Sequence, residues 1–165
     1  MKMTKMDLQK IQEELDYRKG EFGQELRRTL KVAREQGDLS ENADYTAAKR
    51  ANNQNNSRIS YLENIVRHAV IIEDTSEEGT VGLNKAVTVY IPEDEEEETY
   101  KIVTTIRGNS VDGRISTDSP MGKALMGHRV GDTVTVQVSP QYSYEVEIRK
   151  IEYIEDDGTD GIRQY

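Results

Sequence analysis

Apolar side chains early in the chain fall at Leu8, Ile11, Leu15, Phe22, Leu26, Leu30 and Ala33, in steps of three, four or seven. After a polar break, Tyr45, Ala48, Asn52, Asn55, Ile59, Leu62, Val66 and Ala69 alternate three and four without a slip. Both runs predict long helices that meet along one seam as an antiparallel coiled coil. Each arm has roughly 30 residues and at about 1.5 Å per residue reaches on the order of 45 Å. After residue 75 the period changes. Val81, Ala86 to Ile91, Tyr100 to Ile106, Arg114 to Thr117, Thr133 to Val138 and Tyr142 to Ile154 are runs rich in Val, Ile, Thr and Tyr. Several alternate as half-buried strands do, which predicts a small antiparallel sheet. Ser119-Pro120 opens a short helix, with Ser as N-cap and Pro at the first helical position, and Gly127 ends it.

The fold class is therefore α+β: an antiparallel helical hairpin over residues 1–75 and a β domain over 76–155. Glu73 to Gly79 reads as the linker, and the acidic run Glu93 to Glu98 as a solvated connection between strands. Residues 156–165, with three aspartates and two glycines, predict a disordered tail. In the second arm, Ala51 to Ser57 is made of poor helix formers and puts Asn52 and Asn55 on the seam. Buried Asn fixes register at a cost in stability, so the arm is expected to be loose at mid-height.

Charge divides the chain in the same place. The net charge is −9, yet residues 1–75 hold 13 basic against 13 acidic side chains while residues 76–165 hold 9 against 18. Two domains with different partners follow. The absence of cysteine excludes disulfides and thiolate metal sites. No apolar run approaches the roughly 18 residues of a membrane span, and the amino terminus leads into a charged amphipathic helix, so a cytoplasmic protein without membrane contact is expected.

The candidate chemistry sits in the polar break, Gly37-Asp-Leu-Ser-Glu-Asn-Ala-Asp-Tyr-Thr-Ala-Ala-Lys49, which places Asp38 and Glu41 where the chain turns back. Two readings are open. Asp38-Leu39-Ser40-Glu41 fits a helix-capping box, with Gly37 ending the helix before it. Alternatively, two carboxylates at the turn mark the place where this chain's chemistry is expected. Below the break, Arg27, Lys31 and Arg34 share a helix face, suited either to a phosphate backbone or simply to solvent.

The string from Ala33 to Tyr45, Ala-Arg-Glu-Gln-Gly-Asp-Leu-Ser-Glu-Asn-Ala-Asp-Tyr, closely resembles the tip signature of the bacterial Gre transcript-cleavage factors. Ile115-Ser-Thr-Asp-Ser-Pro120 with Gly131-Asp132 resembles the same family's carboxy-terminal domain. The resemblance runs over about residues 5–154. It implies an FKBP-like second domain and a monomeric factor that docks on RNA polymerase and passes its coiled coil down the secondary channel. There it stimulates the polymerase's own endonuclease on the 3′ end of backtracked nascent RNA. Asp38 and Glu41 would then lend ligands in trans to a Mg²⁺ shared with the polymerase, so the chain is not itself an enzyme. Arg27, Lys31 and Arg34 would contact RNA or channel, and Asp118, Ser119 and Pro120 would form the docking loop. Two other functions fit less of the sequence. One is a regulator that merely obstructs the channel. The other is a prolyl isomerase, whose aromatic pocket is hard to build with no Trp and with Phe22 as the one Phe.

Overall fold

The computed structural model describes residues 1–37 and 42–164, which fall into two compact units. One is Leu8–Ala69; the other joins Met1–Asp7 to Val70–Tyr165. The first seven residues thus leave the hairpin to which the sequence pattern assigns them. In chain order the elements are β1 (Lys2–Met3), α1 (Lys5–Lys19), α2 (Glu21–Glu35), α3 (Ala43–Arg67), β2 (Val70–Ile71), β3 (Lys85–Ile91), β4 (Glu96–Val103), β5 (Arg114–Ser116), α4 (Pro120–Leu125), β6 (Thr133–Ser139) and β7 (Tyr142–Tyr153).

In the helical unit the first arm is two helices where periodicity predicts one. They part at Gly20, and the chain resumes so close to the end of α1 that a Cβ on Gly23 would stand 2.4 Å from the Arg18 carbonyl oxygen. Tyr17 and Phe22 stack across the break with ring centroids 5.4 Å apart. The second arm, α3, is continuous over 25 residues, and the expected looseness around its asparagines is not seen. Asn55 is buried, takes a bond from Arg18 Nη1 at 3.1 Å and donates to the Arg18 carbonyl at 3.2 Å. Asn52 donates to the carbonyls of Leu26 at 2.9 Å and Ala48 at 3.1 Å. The break at Gly20 leaves the last carbonyls of α1 without helical donors, and Asn55 supplies one. Beside it, Glu14 accepts from Arg18 Nε at 2.7 Å and from Arg58 Nε and Nη2 at 2.9 and 3.0 Å. Burial raises the Glu14 pKa, but hydrogen bonds from Arg58 and Arg18, with their charges, outweigh it and hold the carboxyl below the ordinary glutamate value.

The other unit is a five-stranded sheet in the order β5-β4-β3-β7-β6. It is mixed rather than wholly antiparallel: β5 pairs with β4 in parallel, Lys101 opposite Arg114. The chain reverses between them through two single turns of 3-10 helix, Thr105–Arg107 and Ser110–Asp112, so β5 re-enters in the direction of β4. The acidic run belongs partly to a strand, since Glu96, Glu97 and Glu98 pair with Ile91, Tyr90 and Val89. Val87, Val89, Ile102, Val136, Val146 and Ile148 are fully buried with Leu125 of α4 in one apolar core. The linker is fixed by the buried Lys85, whose ammonium donates to Ser76 Oγ and the Thr80 carbonyl at 2.7 Å each.

Two polar features anchor the ends of this unit. Thr4 and Asp7 form a reciprocal capping box at the start of α1, with Thr4 N to Asp7 Oδ2 at 2.8 Å and Asp7 N to Thr4 Oγ1 at 3.1 Å. Asp7 is fully buried, accepts from Thr104 Oγ1 at 2.8 Å and is ion-paired with Arg107. The tail, expected to be disordered, is held instead: Asp156 pairs with Arg107 at 2.8 Å and Asp160 with Lys101 at 2.6 Å, while Arg163 N–H donates to the Ile106 carbonyl at 2.8 Å. Its acidic composition finds counter-charges that are far apart in sequence.

Candidate functional site

Asp38 and Glu41 lie outside the described residues, so the tip is built here from its two flanks. On the incoming side α2 ends at Glu35, Gln36 N–H returns to the Ala33 carbonyl at 3.4 Å, and Gly37 takes φ +138°. This is the left-handed half of backbone space that favours glycine at a helix end. On the outgoing side α3 is capped by Asn42, whose Oδ1 accepts from Tyr45 N–H at 2.9 Å. The capping box that the sequence offers at Asp38 and Glu41 lies outside the described residues; the cap of α3 is Asn42. The carboxamide of Asn42 also donates through Nδ2 to the Ala33 carbonyl at 2.9 Å. One side chain therefore starts α3, satisfies an orphan carbonyl of α2 and ties the arms together at the base of the 38–41 connection. In the sequence Asn42 competes with Asp38, Ser40 and Asp44 for the same cap, and nothing in the string singles it out.

Arg27, Lys31 and Arg34 are all exposed and make no ion pair among the described residues. The Arg34 guanidinium stands 5.9 Å over the Tyr45 ring, so it is tethered across the seam just below the tip while remaining accessible. Asp44 is exposed in the first turn of α3, where an acid complements the helix dipole.

The second candidate site is the loop before α4. Ser119 caps α4 as its sequence predicts, with Oγ accepting from Gly122 N–H at 3.0 Å and donating to the Ser116 carbonyl at 2.6 Å, and Pro120 is the first helical residue. The Ser116 carbonyl comes so near that a Cβ on Gly122 would meet it at 2.0 Å. Only glycine fits there. Asp118 is exposed yet fixed: its N–H donates to Ser116 Oγ at 3.0 Å and its Oδ2 accepts from Thr105 Oγ1 at 2.8 Å. Thr105 also bonds Ser116 Oγ at 2.8 Å. Thr105 is the residue that sequence reasoning misses, because it reaches this loop from a 3-10 turn whose course no local pattern predicts. The two candidate sites belong to different units, the tip to Leu8–Ala69 and the Asp118 loop to the β unit.

Comparison with known proteins covers both units. Residues 1–71 match the family described as transcription elongation factor, N-terminal, and residues 76–153 match transcription elongation factor, GreA/GreB, C-term. Transcription elongation factor GreA of Geobacillus kaustophilus is 48% identical over 136 residues, covering 82% of this chain and 86% of that protein. GreA of Bacillus subtilis is 42% identical over 149 residues, covering 90% and 94%. Among solved structures, that of the transcription factor Gfh1 is 33% identical and covers 92% of this chain and 96% of its own, with a TM-score of 0.45. With both its helical and its β unit matched in order, the chain belongs to the GreA/GreB family of transcription elongation factors.

Proposed function

We propose that this elongation factor docks on RNA polymerase through Asp118, Ser119 and Pro120, and that Asp38 and Glu41 at the hairpin tip assist the polymerase's own cleavage of the 3′ end of backtracked RNA. Asp38 and Glu41 are hard oxygen donors, the class Mg²⁺ prefers, and the ion takes only one or two carboxylates. A bound Mg²⁺ would neutralise charge at the scissile phosphate and lower the pKa of an attacking water. The chain's own part is to present two carboxylates on a stiff arm, with Arg27, Lys31 and Arg34 facing the phosphate backbone. The observation that carries this reading is the bond from Asn42 to the Ala33 carbonyl. It ties the end of α2 to the cap of α3 and so closes the two arms on either side of the connection that carries the two acids. A factor that only obstructs the channel has no use for the carboxylates.

The test is cleavage of RNA in stalled polymerase complexes by an Asp38→Asn, Glu41→Gln double variant. Losing even an outer-shell partner of a metal costs roughly 10–100-fold, so loss of both carboxylates should reduce stimulated cleavage by about 100-fold or more. Binding to polymerase, measured by competition with the wild type, should persist. Normal cleavage by the folded variant would reduce the acids to shaping the turn.

A further inference from the structure

The inner face of the sheet is longer than the helix that covers it. α4 has six residues and contributes Met121 and Leu125 to the core that includes Val89, Ile102 and Ile148. Beyond it the inward row of β7 continues through Tyr144 to Tyr142, and that of β4 through Tyr100 to Glu98, by the two-residue period of a strand. Tyr100 and Tyr144 pack against the edge of the core. Tyr142 is 51% exposed, and its ring lies 5.9 Å from that of Tyr144. Carboxylates border these rings: Glu98 accepts from the Tyr100 hydroxyl and Glu93 from the Tyr142 hydroxyl at 3.5 Å. The charge of Glu93 is the first cause raising the Tyr142 pKa, and Glu98, Asp94 and Glu93 add to burial in raising that of Tyr144. None of these three acids makes an ion pair among the described residues. The ledge lies toward the end of the sheet where β3 turns into β4 and β6 into β7, with Ile91 paired to Glu96 and Ser139 to Tyr142, whereas Val103 and Ser116 pair at the end leading to Asp118.

A tyrosine surface bordered by unpaired carboxylates is complementary to a guanidinium, which stacks on an aromatic face while its N–H groups reach acceptors at the edge. The same sheet carries an internal example on its other face, where Arg149 stands 4.5 Å over the Tyr90 ring. We propose that the ledge of Tyr100, Tyr142 and Tyr144, with Glu93 and Glu98, is a second docking surface, separate from the Asp118 loop, that receives an arginine-bearing segment of RNA polymerase. This rests on the polymerase-binding reading above. Two anchors at opposite ends of one sheet fix orientation as well as position, which a factor that aims a hairpin tip requires.

The experiment measures the affinity of the full chain for core RNA polymerase at low and moderate salt. Tyr142→Ala should weaken binding about tenfold, the scale of an interface aromatic anchor, while Tyr142→Phe, which keeps the ring, should bind nearly as the wild type. Glu93→Gln with Glu98→Gln should weaken binding at low salt and flatten its salt dependence. Asp118→Ala serves as the reference for the other anchor. If both ledge variants bind like the wild type while Asp118→Ala is weakened, the ledge is not an interface and the polymerase reading stands. If no variant, Asp118→Ala included, changes binding, the docking reading itself falls and takes the ledge with it.

Discussion

The two units are held together by different chemistry. In the sheet, Val87, Val89, Ile102, Val136, Val146 and Ile148 meet Leu125 with no water access, and stability comes from apolar area removed from water. In the hairpin, Ile11, Leu15, Leu62 and Ile65 are buried, but at mid-height the seam carries Glu14, Arg18, Asn52, Asn55 and Arg58. Apolar contacts tolerate a shift by one heptad; these do not. Glu14 meets Arg58, Arg18 meets Asn55, Leu26 meets Asn52 and Ala33 meets Asn42, and a slipped register would strand several of those groups. The sheet is built for stability and the hairpin for register, which suits an element whose value lies in where its tip stands.

The largest effect should come from breaking the sheet's side of this contrast. Ile148 is fully buried within the core, so Ile148→Ala should cost about 2–5 kcal/mol, the lost transfer energy plus the cavity left behind. Denaturant unfolding followed through the sheet's tyrosines would measure it. A cost under about 1 kcal/mol would mean a core that collapses around the gap.

The seam gives the next effect, and here the structure leads to the opposite sign from the sequence pattern. From the pattern, leucine at positions 52 and 55 should stabilise the arm by adding apolar burial. In the structure, Asn55 satisfies the Arg18 carbonyl beside the Gly20 break and takes a bond from the Arg18 guanidinium. Asn55→Leu strands both, so it should destabilise the hairpin by about 1–3 kcal/mol. Thermal unfolding read by the helix signal decides the matter, and a gain in stability would mean that the polar bonds contribute nothing beyond register.

What the chain disclosed in advance follows the same division. The helix periods and the alternation in β6 were legible because these elements bury one face, whereas β3, buried on both faces, reads as an unbroken run of strand formers. The seam positions from Tyr45 to Ala69 are all buried or half-buried, as their spacing predicts. The break at Gly20 had a signal that periodicity passes over: the step of seven from Leu15 to Phe22 leaves the intervening seam position to Arg18 or Lys19, and Gly20 and Gly23 follow close together. The parallel placement of β5 had none, since three residues carry no directional pattern. The tail misleads for a third reason. Three aspartates and two glycines resemble a solvated segment, and the Lys101, Arg107 and Arg114 that hold it come together only in the fold. At the candidate sites the Ser119 cap of α4 was legible, whereas the bond from Asn42 to the Ala33 carbonyl and the bond from Thr105 to Asp118 were not, because each joins residues that no local pattern brings together.

The smallest effect is a difference in acid sensitivity that separates the two units. Glu14 in the seam is held below the ordinary glutamate pKa, burial raising it but bonds and charges from Arg58 and Arg18 prevailing. In the β unit Asp156 is likewise lowered, with burial opposing and the bond from Arg107 prevailing. A carboxyl whose folded pKa is depressed contributes stability that is fully present above its unfolded pKa, about 4.3 for Glu and 3.9 for Asp, and is lost as pH falls through the folded value. Both units should therefore weaken below about pH 5, in the same direction. Substitution separates them: Glu14→Gln should flatten the acid limb of the helix signal and leave that of the sheet unchanged, while Asp156→Asn should do the reverse. Both carboxyls are partly accessible, so screening keeps each contribution small. Added salt should shrink each difference further, because part of the Glu14 and Asp156 stabilisation is Coulombic. If Glu14→Gln left the acid limb of the helix signal unaltered, the Arg58 and Arg18 bonds would be fixing register without favouring the ionised carboxylate, and the hairpin's polar seam would owe its stability to its asparagines alone.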